Sequence, residues 1–309
     1  MAATQQAVRA VGRPRARKRA VWPAVRGWLF IGPVVVGTLL FNVIPMIPTF
    51  YTSLTNWDGI SSPQWIGFGN YHQIFSGGDP EFMRSLINTI IYTVAYVPIG
   101  IAVGLVLALL TNRQSRGITI FRALFFIPVV TSLVAIGMVW RWIFDSQYGV
   151  LNWLLSLVGI TGPHWLGGSV SAMIAVLITG IWAIMGYNMV ILLAGLQNVP
   201  AELIDSSKVD GAGAWARFRH VMLPVLTPSL FFLIITSTIG SFQVFALIFV
   251  MTSGGPGDST YVYIYELWYQ TFQLRKMGFG SAMAVLLFIV LGVITWLQWR
   301  LSKRWVFYQ

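Results

Sequence analysis

Long apolar runs separated by short polar segments dominate the chain, and almost no acid or base interrupts the runs. A helix needs about 20 consecutive apolar residues to cross about 30 Å of hydrocarbon. Six stretches approach or exceed that length: about 28–48, 87–110, 121–140, 170–196, 225–250 and 282–299. Alternation of apolar and polar residues, the mark of a membrane β-barrel, is missing. The pattern predicts an all-α integral membrane protein with six transmembrane helices. One polar stretch interrupts it conspicuously, PAELIDSSKVDGAGAWARFRHVMLP at 200–224.

Composition agrees with that class: of 309 residues 56% are hydrophobic and 9% charged, and the mean hydropathy is +0.72. The basic residues then set an orientation, because cytoplasmic loops collect Lys and Arg beside the spans. With the N-terminus inside, sixteen of the 20 fall on the inner side. They are Arg9, Arg13, Arg15, Arg17, Lys18, Arg19, Arg26, Arg113, Arg116, Arg122, Lys208, Arg217, Arg219, Arg300, Lys303 and Arg304. Only Arg84, Arg141, Arg275 and Lys276 fall outside, so both termini are expected in the cytoplasm. The net charge of +11 and the basic segment 1–26 therefore need no nucleic acid; orienting the first span against anionic lipid accounts for them. That first run is longer than a secretory h-region and lacks a small-residue cleavage site, and it reads as an uncleaved anchor.

Candidate chemistry is sparse. No GxxxxGK[ST] phosphate loop and no GxSxG nucleophile elbow occur, and there is no cysteine. His72, His164 and His220 are scattered, so neither a metal site nor a catalytic residue is expected. Asp58, Asp79, Glu81, Asp145, Asp258 and Glu266 fall in outer loops, and Glu202, Asp205 and Asp210 in the inner one. None lies at mid-span, where ion-coupled transporters place ionisable groups. A stand-alone secondary transporter and a polytopic enzyme acting on lipid-linked substrates stay open as alternatives.

The spans do carry neutral polar and helix-softening residues. Asn88, Thr89, Thr93 and Pro98 are followed by Gly100 and Gly104 in a small-xxx-small spacing, and Pro128, Thr131 and Ser132 mark the third run. Any one such residue reads first as interhelical glue. Together, Tyr187 and Asn188 on the fourth run and Ser237, Ser241 and Gln243 on the fifth offer hydroxyls, amides and an aromatic face. Those groups suit a neutral, hydroxyl-rich solute such as a sugar.

Within 200–224, Pro200 is expected to open a short helix over 201–209 with Asn198 as a cap, and Asp210-Gly211 to end it. A second helix is expected over about 213–221, with Trp215, Phe218 and Met222 on one apolar face, before Leu223-Pro224 restarts the chain into the membrane. Such a cytoplasmic helix-turn-helix needs a partner to bury its apolar face.

This loop resembles the EAA signature of membrane subunits of ATP-binding-cassette importers, EAAxxDGA followed by aromatics and LP. Here it reads Asp205-Ser206-Ser207, Asp210-Gly211-Ala212, Trp215, Phe218 and Leu223-Pro224, with Asp in place of Glu and Ser in place of both alanines. IGFGNYHQIF (66–75), NTIIYTV (88–94), RALFFIP (122–128) and MTSGGPGDST (251–260) look like the carbohydrate-uptake branch, in particular the larger membrane subunit of maltose-type transporters. The resemblance runs from about residue 28 to the C-terminus. It implies a permease domain over 27–309 in a prokaryotic plasma membrane, with a coupling loop at 198–223. Glu202, Asp205, Ser206, Ser207, Asp210, Gly211 and Ala212 would engage an ATPase. Tyr187, Asn188, Ser237, Gly240, Ser241 and Gln243 would contact the solute. The implied partners are a second homologous permease subunit, an ATPase dimer that holds ATP and Mg, an extracytoplasmic solute-binding protein and membrane lipid. The implied solute is a di- or oligosaccharide or a related polyol or sugar phosphate. No cofactor would bind this chain itself.

Overall fold

A computed structural model describes residues 21–113 and 116–307, with the side chains of 21–26 excepted. The basic segment 1–26 thus lies outside the described residues, apart from the backbone of its last six. Among the described residues, those up to 50 and those from 51 onward form two compact units. The chain enters α1 (Val21–Thr38) and runs through a π-bulge (Leu39–Val43) to α2 (Met46–Thr52), whose last two residues begin the second unit, and 27–52 is long and apolar enough to cross a membrane.

The second unit continues with a small antiparallel ribbon, β1 (Thr55–Asn56) on β2 (Gln64–Trp65), followed by α3 (Gly69–Phe75). The buried Asn70 amide donates to the carbonyls of Ser53 and Thr55, both at 2.9 Å, so the IGFGNYHQIF stretch ties α3 to the ribbon. The long helix α4 (Pro80–Thr111) starts where sequence chemistry asks it to. Pro80 sits in its first turn, and the Asp79 carboxylate accepts the otherwise unpaired N–H groups of Glu81 and Phe82.

The third apolar run is not one span. It divides into α5 (Ile118–Val130) and α6 (Leu133–Ile143), bent by 102°. Thr131 and Ser132 are extended, and the Thr131 hydroxyl donates to the Ile127 carbonyl, satisfying a helix-end acceptor that a continuing helix would have used. After the short α7 (Val150–Leu157) comes α8 (Ser169–Gln197), which packs against α4, α5 and α6. Ala172, Ala175, Val176, Thr179, Gly180 and Ala183 are buried along it, small side chains at helical spacing that let neighbours approach closely.

Then follow α9 (Ala201–Val209), α10 (Ala214–Arg217) and, through a π-bulge at Phe218–Met222, α11 (Leu223–Phe242). The expected restart at Leu223-Pro224 is absent, because Ala214–Phe242 is one continuous helical stretch. The bulge shifts the hydrogen-bond ladder just ahead of Pro224, so its missing N–H does not break the helix. The fifth run also ends earlier than expected. At Phe242 the Gln243 N–H turns back to the Gly240 carbonyl, and the rest of the run forms α12 (Ala246–Met251), packed on α6 and α8. The chain finishes with α13 (Tyr263–Trp268), a bulge at Tyr269–Gln273, and α14 (Met277–Ser302). Among the described residues five helical stretches are long and apolar enough to cross a membrane, or six if the bent α5–α6 pair counts as one span.

Two of the family-like stretches are tie points. Asn88 of NTIIYTV donates to the carbonyls of Asp258 (2.8 Å) and Tyr261 (3.0 Å), and Arg84 pairs with Asp258 at 2.6 Å, holding the GGPGDST loop on α4. Arg122 of RALFFIP donates to the Thr111 carbonyl at the end of α4.

Candidate coupling turn and solute cavity

The polar stretch 200–224 folds into an exposed turn on short-range chemistry. Asn198 caps the C-terminus of α8 and not the start of α9, its N–H returning to Gly195 and Leu196; Pro200 takes the N-cap position of α9. Glu202 in the first turn and Lys208 in the last match the helix dipole, and Lys208 pairs with Asp205 at 2.8 Å in the open. Both members are exposed, so that pair adds little stability. Ser206 and the buried Ser207 turn their hydroxyls back on the carbonyls of Leu203 and Ile204.

Gly211 closes the helix. It sits at φ +77°, donates to Lys208, and Ala212 donates to Ser207, which is the paired Schellman pattern that needs a left-handed residue in this place. Arg217 then reaches back to the Ala212 carbonyl, fixing the exit of the turn against α10. Glu202, Asp205, Ser206, Asp210 and Gly211 are exposed. So are three apolar side chains on the same turn: Leu203 (45%), Val209 (88%) and Trp215 (71%). The ring of Trp215 leans on Phe218, with centroids 5.6 Å apart.

A cavity of about 490 Å³ lies among α4, the α5–α6 bend, α8 and the α11–α12 break. Gly240, Ser241 and Gln243 line it; Tyr187, Asn188 and Ser237 do not. Tyr187 packs instead in the apolar cluster of Ile101, Leu192 and Leu226. Asn188 is buried in the seam between α8 and α4, where its amide donates to the Gly100 carbonyl at 2.9 Å. A side chain at Gly104 would run into Asn188, so the glycine makes room for this amide. Ser237 is buried within α11.

Sequence reasoning missed the aromatic wall of the cavity. Tyr92 and Tyr96 of α4 stack with centroids 5.2 Å apart, and the Tyr92 hydroxyl lies against Gly180. Their i, i+4 spacing in NTIIYTVAYVP was the available signal. Thr131 enters the cavity from the bend, and Ser241 keeps its hydroxyl on the Thr238 carbonyl at 2.8 Å. No carboxylate, histidine, lysine or arginine is among the described lining residues. The site offers aromatic faces, hydroxyls and an amide, a set suited to holding a neutral solute.

Similarity to known proteins agrees with this architecture. Residues 97–307 match the family described as binding-protein-dependent transport system inner membrane component. The chain is 36% identical to the probable ABC transporter permease protein YesP of Bacillus subtilis (strain 168), over 92% of each chain. It is 33% identical to the trehalose/maltose transport system permease protein MalF of Thermococcus litoralis, covering 85% of this chain and 89% of the relative. It is 34% identical to the lactose transport system permease protein LacF of Rhizobium radiobacter, covering 91% and 95%. The fold is shared with a crystal structure of a bacterial alginate ABC transporter in complex with an alginate pentasaccharide-bound periplasmic protein, with a TM-score of 0.80 and 21% identity over 93% of this chain and 98% of that one.

Proposed function

The chain belongs to the family of binding-protein-dependent transport system inner membrane components, and from that premise we propose that it is the transmembrane permease subunit of an ABC importer for a carbohydrate. Two relatives are named for trehalose/maltose and lactose transport, and the aromatic, hydroxyl-bearing, charge-free cavity supports a solute of that class. The observation that carries the reading is the coupling turn. A rigid, Schellman-closed helix end presents Leu203, Val209 and Trp215 to the surface beside an exposed acidic row. An ATPase subunit docks there, with Glu202, Asp205, Ser206, Ser207, Asp210, Gly211 and Ala212 forming the coupling segment.

In this reading both termini and the coupling turn face the cytoplasm, which the sixteen-to-four distribution of basic residues supports. ATP and Mg bind the ATPase dimer, a second homologous permease subunit completes the pathway, and an extracytoplasmic binding protein delivers solute. Closure of the ATPases pushes on α9, and the helix Ala214–Phe242 carries that displacement directly to Gly240 and Ser241 at its other end. The solute influences the cycle only through its different affinity for the inward- and outward-open states. Tyr92, Tyr96, Ser241 and Gln243 hold it; Tyr187, Asn188 and Ser237 support the helices around it.

The test is uptake of labelled sugars into proteoliposomes carrying the assembled complex, with ATP inside and binding protein outside. ATP-dependent uptake that falls in Tyr96→Ala, with the complex intact, is the expected result. Uptake that proceeds without ATP or partner subunits would return the chain to the stand-alone transporters.

A further inference from the structure

A second cavity, of about 510 Å³, lies between the start of α4, the 253–261 loop and α13, on the face that carries the GGPGDST loop. Its floor holds two carboxyl groups far apart in sequence. Glu266 on α13 is 0% exposed and Asp79 is 7% exposed. A single amide bridges them: Gln270 Nε2 donates to Asp79 Oδ2 at 2.8 Å and to Glu266 Oε1 at 2.7 Å. Those two carboxyl oxygens therefore lie within about 5.5 Å of each other. Neither acid forms an ion pair among the described residues. The other Glu266 oxygen, Oε2, is buried with no hydrogen-bond partner, and so is Gln270 Oε1.

Two like charges this close and this buried do not both ionise. Asp79 is the member suited to carry the charge, because its Oδ1 accepts the Glu81 and Phe82 N–H groups at the positive end of α4. Glu266 lies in the first turn of α13 but accepts no backbone N–H among the described residues; its support comes from the Gln270 amide and the Tyr261 side chain alone. The remaining titratable or charged lining groups are Glu81, Asp258, Tyr261, Tyr265, Tyr269 and Lys276, and Asp258 is already paired with Arg84.

We propose that Glu266 is a buried site for one proton, held as a neutral acid beside the Asp79 carboxylate, and that this proton clamps the start of α4 to α13. Burial raises the Glu266 carboxyl above its ordinary 4.5; the Tyr261 and Gln270 side chains act against that, and Asp79 reinforces it. A protonated Glu266 allows Gln270 to bridge one neutral and one charged carboxyl. Loss of the proton sets two anions against each other across the bridge and loosens the contact. The sign of the pH dependence follows. Above 4.5 the unfolded chain has released this proton while the folded chain keeps it. Stability therefore falls as pH rises from 4.5 towards the raised folded value, and the contribution is complete below that window. In the orientation proposed above the clamp faces the outer medium, and this last step alone rests on that orientation.

The experiment is infrared spectroscopy of the full chain in lipid across a pH titration, paired with thermal unfolding. A protonated-carboxyl stretch should persist well above pH 4.5, the ordinary value for this carboxyl, and should be lost in Glu266→Gln. The same variant should flatten the fall in melting temperature with rising pH, whereas Glu81→Gln, in the same cavity but exposed, should keep the wild-type profile. Asp79→Asn, which retains a capping side chain, should move the titration of the stretch to lower pH. Absence of the stretch in the wild type, or an unchanged pH profile in Glu266→Gln, overturns the proposal. So does a missing stretch combined with a melting temperature raised by calcium, which would assign the oxygens to a metal.

Discussion

The seam between α4 and α8 and the coupling turn at 201–222 use polar and apolar residues in opposite ways. In the seam the Asn188 side chain is buried and its Nδ2 bonds across helices to Gly100, with Gly104 making the room, while its Oδ1 has no hydrogen-bond partner among the described residues. On the turn, apolar Leu203, Val209 and Trp215 stand exposed while every backbone bond that closes the helix is local. A buried polar group that finds its partner inside the chain serves the chain's own packing. An exposed apolar group on a helix end closed by its own backbone bonds is available to another chain. On the proposed function the seam serves stability and the turn serves docking of the ATPase subunit, and substitutions should separate the two.

Gly104→Val should have the largest effect on stability, because the new side chain meets Asn188 across a closely packed seam; overpacking of this kind costs about 3 kcal/mol. A sharp drop in melting temperature in detergent, with loss of expression, checks it. Asn188→Ala should cost about 1 kcal/mol, the scale of an interhelical hydrogen bond in a membrane, and lower the melting temperature measurably without abolishing uptake. Gly211→Val strains a left-handed position by about 1–2 kcal/mol. Because that position is exposed at a helix end, the strain should fray α9 locally, leaving the melting temperature within a degree or two of wild type while ATP-driven uptake is lost. Leu203→Asp should leave stability unchanged and weaken co-purification of the ATPase. If Gly211→Val unfolded the protein as thoroughly as Gly104→Val, the division between the two regions would fail.

The sequence made the seam's helices visible and hid what bends between them. α4, α8 and α14 are long apolar runs and were readable as spans, and the Asp210-Gly211 stop of α9 was readable from turn chemistry. The 102° bend was not, because Thr131 and Ser132 are too short a polar interruption to lower the hydropathy of the run 121–140, and the break depends on the backbone at those two residues alone. The early end of α11 was hidden for a similar reason, since Gln243 alone interrupts the apolar run where the backbone turns. The solute candidates divided along a tertiary line. Which face of α8 meets α4 decides that Asn188 becomes a seam residue and Tyr92 a cavity residue, and one-dimensional spacing does not carry that information. The Asp79–Gln270–Glu266 bridge spans 191 residues and had no local signature.

On the proposed function the exposed apolar turn is where an ATPase subunit takes hold. The chain contains no cysteine, so Val209→Cys introduces a single thiol at a position 88% exposed in the isolated subunit. In the assembled importer a short bifunctional crosslinker should join that thiol to the ATPase subunit, and the assembly should shield it from a water-soluble maleimide. A Val209→Cys thiol that labels freely in the assembled complex and forms no crosslink to the ATPase would show that the ATPase docks elsewhere.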